Sequence, residues 1–393
     1  MMIDDLYIHN FKILIDKWFK LSQFNVFIGP NGSGKSSVLQ ALAVARYVLY
    51  DRDAKYIPYP MPRSPVDLRH VLHRDKPFII KLSGTFYYQH KDLGNLAIKA
   101  FIEVNDYSVK ERRLLQVSID SKTILSESDI PKEGSKTIEV EGKTIEVTRT
   151  RIRIPVNERS VTTLEPRRLL WNVWFIPTVR GEADIATSPS PEIGLRYHQL
   201  LGLLASNHKL KRDVSRVLSE ILGYRFELDL RLVSSQQWAL ENLIYGYEKG
   251  KAINFAIEAF GCAQLIYLLV YMLAVNEGST ICIEEPEIHL HPASQARLVE
   301  KLVDIARKRK LQLIITTHSE HVLLKFLNLV ARKEISKDDV KVYYFVRDPE
   351  NPVAILEELP ITETGELVGG LKGFFEHEVE MLEEFLKARI SSR

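Results

Sequence analysis

Hydrophobic positions follow two different periods along this chain. Residues 25–28, 280–283 and 311–315 are short, nearly unbroken apolar runs, the pattern of strands buried on both faces. Behind the first of them, Val38, Ala41, Leu42 and Ala45 recur at helical spacing. Residues 77–156 change to alternation: 79–88, 96–104, 114–119 and 152–156 read as strands. Within that region residues 136–140 and 143–147 nearly repeat across Glu141-Gly142, which predicts a two-residue hairpin turn. Residues 6–12 and 19–21 predict a β-meander leading into the 25–28 strand, and 171–177 a further apolar strand. Residues 193–222 take helical spacing with Lys209, Lys211, Arg212 and Arg216 interleaved; we read these cations as a solvated face. Strand-like alternation returns over 226–233 and 238–247.

Punctuation divides these elements. The Pro-rich stretch 56–62 ends helical structure, and the Ser/Pro-rich stretch 187–191 marks a boundary. The expected organisation is an α/β nucleotide core built from 1–55 and 250–360, a β-rich region over 56–180, a helical and mixed insertion over 181–249, and a C-terminal helical segment over 361–393. In the last of these Val379, Leu382, Phe385 and Leu386 share one helical face.

Composition narrows the class only a little. With 393 residues, 45% hydrophobic and 26% charged, the chain can bury a large core. A net charge of +2 and a pI near 8.3 leave a nucleic-acid partner to local patches rather than bulk electrostatics. Cys262 and Cys282 lie in apolar surroundings without metal-ligand spacing, which fits a reducing, cytoplasmic interior and argues against a disulfide framework. Residues 1–5 do not open a secretion signal, and the most apolar segment, 265–275, is too short for a membrane span.

The chemistry sits at the ends of the buried strands. Gly29-Pro30-Asn31-Gly32-Ser33-Gly34-Lys35-Ser36 is a phosphate loop in the required order of strand, loop and helix. Its glycines let backbone N–H groups close around a triphosphate. Lys35 reaches the outer phosphates, and the Ser36 hydroxyl takes a coordination site on Mg²⁺. Ser37 completes the set expected to bind nucleotide. The 280–283 strand runs into Glu284 and Glu285, which point differently at a strand end. Glu284 is therefore expected to approach Mg²⁺, and Glu285 to orient or deprotonate the attacking water. The third strand ends at Thr316-Thr317-His318-Ser319, and the His318 imidazole is expected to sense the γ-phosphate.

In this order the three motifs resemble Walker A, Walker B and the switch histidine of ABC-type ATPases, in the soluble RecF/SMC/OLD-like group. The fold class is accordingly an α/β P-loop NTPase with an ABC-ATPase-like core sheet and β-rich and helical insertions. The resemblance implies ATP and Mg²⁺ as cofactors and a head-to-tail dimer that sandwiches two nucleotides. Residues 258–264 resemble a Gly-Phe-Gly variant of the family signature, so Gly261 and Cys262 are expected at nucleotide bound to the other subunit. Ala259 replaces the signature serine, which removes a hydroxyl donor. His289-Leu290-His291-Pro292 resembles the segment that contacts the opposite subunit. His289 and His291 lack further ligands at zinc spacing. Gln89 is the candidate for the family's Gln loop, and 361–376 resembles the short C-terminal domain of predicted prokaryotic members. The residues after Ser319 are too few for a Toprim nuclease domain, and Asp348 alone does not supply one. The resemblance implies an ATPase that regulates a separate protein effector, as in some genome-defence systems. Its alternatives are a RecF-like clamp on DNA and a slowly hydrolysing ATP-binding regulator.

Overall fold

The computed structural model describes residues 2–50, 56–57, 66–67, 77–91, 93–105, 108–141, 143–157, 160–176, 197–234, 237–243, 252–254, 260–369 and 387. Among these, a six-stranded sheet forms the middle layer. Its order is β14 (Val173–Ile176), β18 (Thr280–Glu284), β19 (Gln312–Thr317), β3 (Phe24–Ile28), β20 (Val340–Arg347) and β21 (Ala354–Leu359). Every pair is parallel except the β20–β21 hairpin. Both faces are covered, which is why these strands read as unbroken apolar runs. Val26, Ile281, Ile283, Leu313 and Ile315 face a helical layer made by α3 (His208–Leu222), α4 (Phe260–Ala274), α5 (Pro292–Lys308) and α6 (Glu320–Ala331). The intervening Phe27, Cys282 and Ile314 face α1 (Lys35–Tyr50) and the β-rich layer. On α4 the buried side chains from Leu265 to Met272 leave no polar stripe, so the helix sits inside the core, with α2 (Tyr197–Ser206) beyond it.

The β-rich layer is antiparallel. One sheet runs β2 (Lys17–Lys20), β1 (Met2–His9), β6 (Ile79–His90), β7 (Gly94–Asn105), β8 (Ser108–Ile119) and β9 (Lys122–Leu125). A second runs β10 (Ser135–Val140), β11 (Lys143–Thr148), β12 (Arg151–Asn157) and β13 (Ser160–Leu164). The predicted hairpin is present: Val140 pairs with Lys143, and Glu141 takes φ +50° in the turn. Two smaller ladders are β4 (Tyr56–Ile57) with β5 (Val66–Asp67), and β15 (Leu228–Ser234), β16 (Gln237–Leu243) and β17 (Ala252–Asn254). No helix among the described residues is long and apolar enough to cross a membrane.

The structure departs from the sequence reading in three places that matter for the site. The opening meander does not continue into β3: β1 and β2 belong to the antiparallel sheet, because β3 is buried at every residue and needs neighbours on both edges and cover on both faces. The first strand ends at His9 rather than Lys12, since Asn10 and Lys12 take φ +53° and fold the chain into a tight turn closed by Phe11 and Leu14. Val173–Ile176, placed with the β-rich region on sequence, lies in the parallel sheet beside β18.

One buried amide joins the two sheets. Gln312, wholly buried at the start of β19, accepts from Ile3 N at 2.9 Å and from the Thr280 hydroxyl at 2.9 Å. It donates to Ile3 O at 2.8 Å and to Ser22 O at 2.9 Å. Its side chain thus serves Ile3 as a strand partner, beside the irregularity where the β1–β6 register shifts between Ile3 and Asp5. Gln312→Ala leaves those buried groups unpaired and is expected to cost about 2–4 kcal/mol. Urea titration should show a lower midpoint with an unchanged slope.

Candidate functional site

The loop between β3 and α1 is shaped by three glycines with positive φ: Gly29 at +147°, Gly32 at +74° and Gly34 at +104°. A Cβ at Gly29 would lie 2.1 Å from the Phe345 carbonyl oxygen of the neighbouring strand, so only glycine lets the loop leave β3 this closely. A Cβ at Gly34 would press on Ile13 at 3.2 Å and Ala354 at 3.3 Å; the turn after β1 and the β20–β21 hairpin wall the loop in. Helix α1 begins at Lys35 with no acidic residue in its first turn, so the positive end of its dipole and its free N–H groups face the loop uncompensated.

Lys35 is buried, and its Nζ donates to Gly29 O at 2.7 Å and Pro30 O at 2.8 Å. Burial lowers its pKa to about 8, against the opposing pull of Glu285 and Glu287. Ser33 Oγ is buried beside it without a hydrogen-bond partner. Ser36 is half-buried in the first turn of α1, and Ser37 N closes onto Gly34 O at 3.1 Å.

The adjacent strands end at the same level. Glu284, the last residue of β18, is buried and in register with Thr316 of β19. Glu285 follows at φ +44°, a conformation uncommon for a residue with a side chain, and its N–H donates to Thr316 O at 2.8 Å. The chain therefore turns sharply at the second carboxylate and sends the two side chains apart. His318 stands just beyond β19. Its Nε2 lies 3.0 Å from Glu285 Oε1 and its Nδ1 3.4 Å from Lys35 Nζ. The imidazole thus bridges the phosphate-loop lysine and the turn carboxylate, groups separated by most of the chain.

Other expected residues fall elsewhere. Gln89 is exposed at the far end of β6: Ile79, at the start of that strand, pairs with His9 near the loop, so Gln89 lies about 30 Å further along at a rise near 3.4 Å per residue. Its neighbours Phe86 and Tyr87 line a cleft of about 1410 Å³ with Gln23 and Gly278, where the parallel strands begin rather than end. Gln89 is therefore not at the phosphate loop. Gly261 and Cys262 occupy the first turn of α4, and the Cys262 side chain is buried in the core with the Tyr224 hydroxyl 3.9 Å from its sulfur. Glu258 and Ala259 lie outside the described residues. His291 caps α5, accepting from Ala293 N at 3.3 Å, and His289 takes φ +63° in the preceding turn. Asp348 accepts from Glu350 N at 2.9 Å and Asn351 N at 3.0 Å, which keeps its carboxyl below the usual range and makes it a turn residue.

Two cations at the site carried no signal in the sequence. Lys12, in the tight turn after β1, bonds Gln40 of α1; burial lowers its pKa, and Glu284 opposes that shift. Arg347 is exposed at the end of β20, with a guanidinium nitrogen 3.9 Å from where a Gly32 Cβ would stand. Neither is adjacent to a motif; each reaches the loop only through β1 or β20.

Residues 24–324 match the family described as "AAA domain, putative AbiEii toxin, Type IV TA system". The chain belongs to that family. The matched span runs from β3 past His318, so the P-loop ATPase fold of the family is the α/β core described above. No curated protein matches the sequence. Among solved structures, the SMC head domain from Thermotoga maritima is similar with a TM-score of 0.41 and 12% identity, over 92% of this chain and 100% of that one. The Smc head bound to the C-terminal winged-helix domain of ScpA gives 0.49 and 13% over 92% and 99%. The Smc head with an extended coiled coil bound to the C-terminal domain of ScpA, from Pyrococcus furiosus, gives 0.42 and 10% over 98% and 99%.

Members of this AAA family carry a loop built for phosphates, and the residues here fit that ligand. Backbone curvature at Gly29, Gly32 and Gly34, the buried Lys35 ammonium, and the unpaired Ser33 hydroxyl together form a donor-rich hollow. Ser36 and Glu284 are oxygen donors of the kind Mg²⁺ takes.

Proposed function

We propose that this protein binds ATP at the 29–37 loop and hydrolyses it, and that the nucleotide state switches an interface with a second copy or with a separately encoded protein effector. The observation that supports this most is the convergence of Lys35, His318 and Glu285, with His318 Nδ1 3.4 Å from the lysine and Nε2 3.0 Å from the carboxylate. The family fold sets the frame. Within it, Gly29, Pro30, Asn31, Gly32, Ser33, Gly34, Lys35, Ser36 and Ser37 cradle the triphosphate, and Lys12 and Arg347 add positive charge around it. Ser36 and Glu284 would hold Mg²⁺, which when bound supplies charge neutralisation on the phosphates. Glu285 orients the attacking water and accepts its proton, while His318 holds Glu285 in place through Nε2 and reads the γ-phosphate through Lys35, which faces its Nδ1. Because the γ-phosphate is what Lys35 and His318 both address, its loss changes the strand tips first. Gly261 and Cys262 would meet nucleotide on the opposite copy through main-chain N–H groups, the Cys262 side chain being committed to the core.

One observation favours a DNA clamp instead. A groove of about 430 Å³ on α3 and the start of β15 is lined by Lys211, Arg212, Arg216 and Arg225. Two of these cations already face carboxylates: Arg216 meets Asp213 at 3.7 Å and Glu220 at 3.4 Å, and Arg225 meets Glu227 at 3.3 Å. We therefore prefer the effector reading. ATP turnover and molecular mass, each with and without Mg²⁺, test the function. Turnover with a nucleotide-dependent mass increase supports it, and the absence of both overturns it. A steep salt dependence of duplex binding that ATP alters would favour the clamp.

The buried lysine makes nucleotide binding depend on pH. Its pKa is lowered to about 8, and an anionic triphosphate beside it raises that value again, so binding takes up a proton once Lys35 starts to deprotonate. ATP affinity is expected to be flat below about pH 8 and to fall above it, with a slope approaching tenfold per unit. Titration calorimetry between pH 7 and 9.5 reads this directly. Lys35→Arg keeps its charge throughout and should remove the slope.

A further inference from the structure

Thr317, Ser319, Gln295, Leu290 and Glu287 close a ring of hydrogen bonds around the strand tip that carries His318. The Thr317 hydroxyl donates to Glu287 Oε1 at 2.5 Å, and Ser319 N donates to Thr317 Oγ1 at 2.9 Å. The Ser319 hydroxyl donates to Gln295 Oε1 at 2.5 Å, Gln295 Nε2 donates to Leu290 O at 2.9 Å, and Leu290 N returns to Glu287 O at 3.0 Å. Inside this ring His318 N donates to Glu287 Oε1 at 3.3 Å. One carboxylate oxygen thus holds both the backbone of His318 and the side chain before it.

Glu287 is 6% exposed, and its other oxygen, Oε2, has no hydrogen-bond partner. Burying a carboxyl with an unpaired atom costs stability unless its geometry is needed. Burial also pushes its pKa up, against the hydrogen bonds from Thr317 and His318. A glutamine has the same shape and the same acceptor in place of Oε1.

We propose that Glu287 and Gln295 are positioning residues that hold the His318 imidazole between Lys35 and Glu285 and join it mechanically to the turn at residues 287–291. Neither residue touches the reacting atoms. This proposal rests on the ATPase reading for its kinetic consequence, but not for its structural one.

The test uses the full chain with Glu287→Ala, Glu287→Gln and Gln295→Ala. Turnover by Glu287→Ala and Gln295→Ala is expected to fall about 10- to 100-fold through a misplaced imidazole, with ATP affinity within about threefold of wild type. Glu287→Gln should restore turnover to within about threefold, because its carbonyl accepts the same two hydrogen bonds. With histidine labelled at ¹³Cε1, the His318 resonance, assigned through His318→Gln, should shift in both alanine variants and stay in place in Glu287→Gln. Gln295 is half-buried, so Gln295→Ala answers the question even where Glu287→Ala does not fold. An unmoved His318 resonance in Gln295→Ala overturns the ring, whatever the turnover. A shifted resonance in a protein that never hydrolyses ATP supports the ring and sinks the ATPase reading alone.

Discussion

Replacing Glu285 with glutamine is expected to reduce ATP turnover by about 10²- to 10⁴-fold, the usual contribution of a positioned general base. Glutamine fills the same volume at φ +44° and can still meet His318, so the fold and the loop persist. It cannot accept the proton of the attacking water. ATP binding should therefore survive while the γ-phosphate stays in place, and the ATP-bound form accumulates. If that form is a dimer, light scattering of Glu285→Gln with ATP and Mg²⁺ should show twice the protomer mass, persisting where the wild type relaxes to the lower mass. Turnover that is indifferent to this substitution would remove Glu285 from the chemistry and leave the adjacent Glu284 as the only buried carboxylate of the pair.

Lys35→Ala is expected to lose both binding and turnover. Removing one preorganised cation from a phosphate-transfer site typically costs about 10²- to 10³-fold in rate, and here the ammonium has a second task. By donating to Gly29 O and Pro30 O it holds the loop in its curve, and at 3.4 Å it faces the imidazole of His318. Alanine removes the charge and leaves two carbonyls without their donor. Fluorescent ATP-analogue titration should show affinity weakened well beyond tenfold, with the fold retained by circular dichroism because α1 keeps its buried face of Val38, Ala41, Leu42 and Ala45. Retained affinity within threefold would show that the nucleotide is held elsewhere.

Much of the frame was legible in the linear chain because its causes are local. Residues 25–28, 280–283 and 311–315 announced strands buried on both faces, since an apolar run that short needs cover on each side, and each is a parallel strand of the middle sheet. The Glu141-Gly142 turn carries its own geometry in two residues. Glycines at 29, 32 and 34 declared a loop whose backbone closes around phosphates, and two of them are packed tightly, Gly29 against Phe345 of β20 and Gly34 against Ile13 and Ala354. The order of phosphate loop, paired carboxylates and strand-end histidine follows from the way βα units place strand ends side by side.

What the chain could not show by itself was which distant segments meet. Lys12 and Arg347 have unremarkable neighbours in sequence; they reach the loop because β1 turns back at Asn10 and because β20 pairs with β3, both long-range facts. The meander expected at the start reads correctly as strands but belongs to another sheet, since strand propensity does not name the partner. Gln89 had the right residue type and the wrong end of β6, a distinction that exists only once Ile79 is paired with His9. Glu287 takes on its role only once Thr317 and His318 are brought against it from β19. Sequence determined the local shapes, because periodicity and backbone preference act over a few residues. Tertiary structure decided the company each polar group keeps, because burial and hydrogen bonding are settled between segments that the chain itself holds far apart.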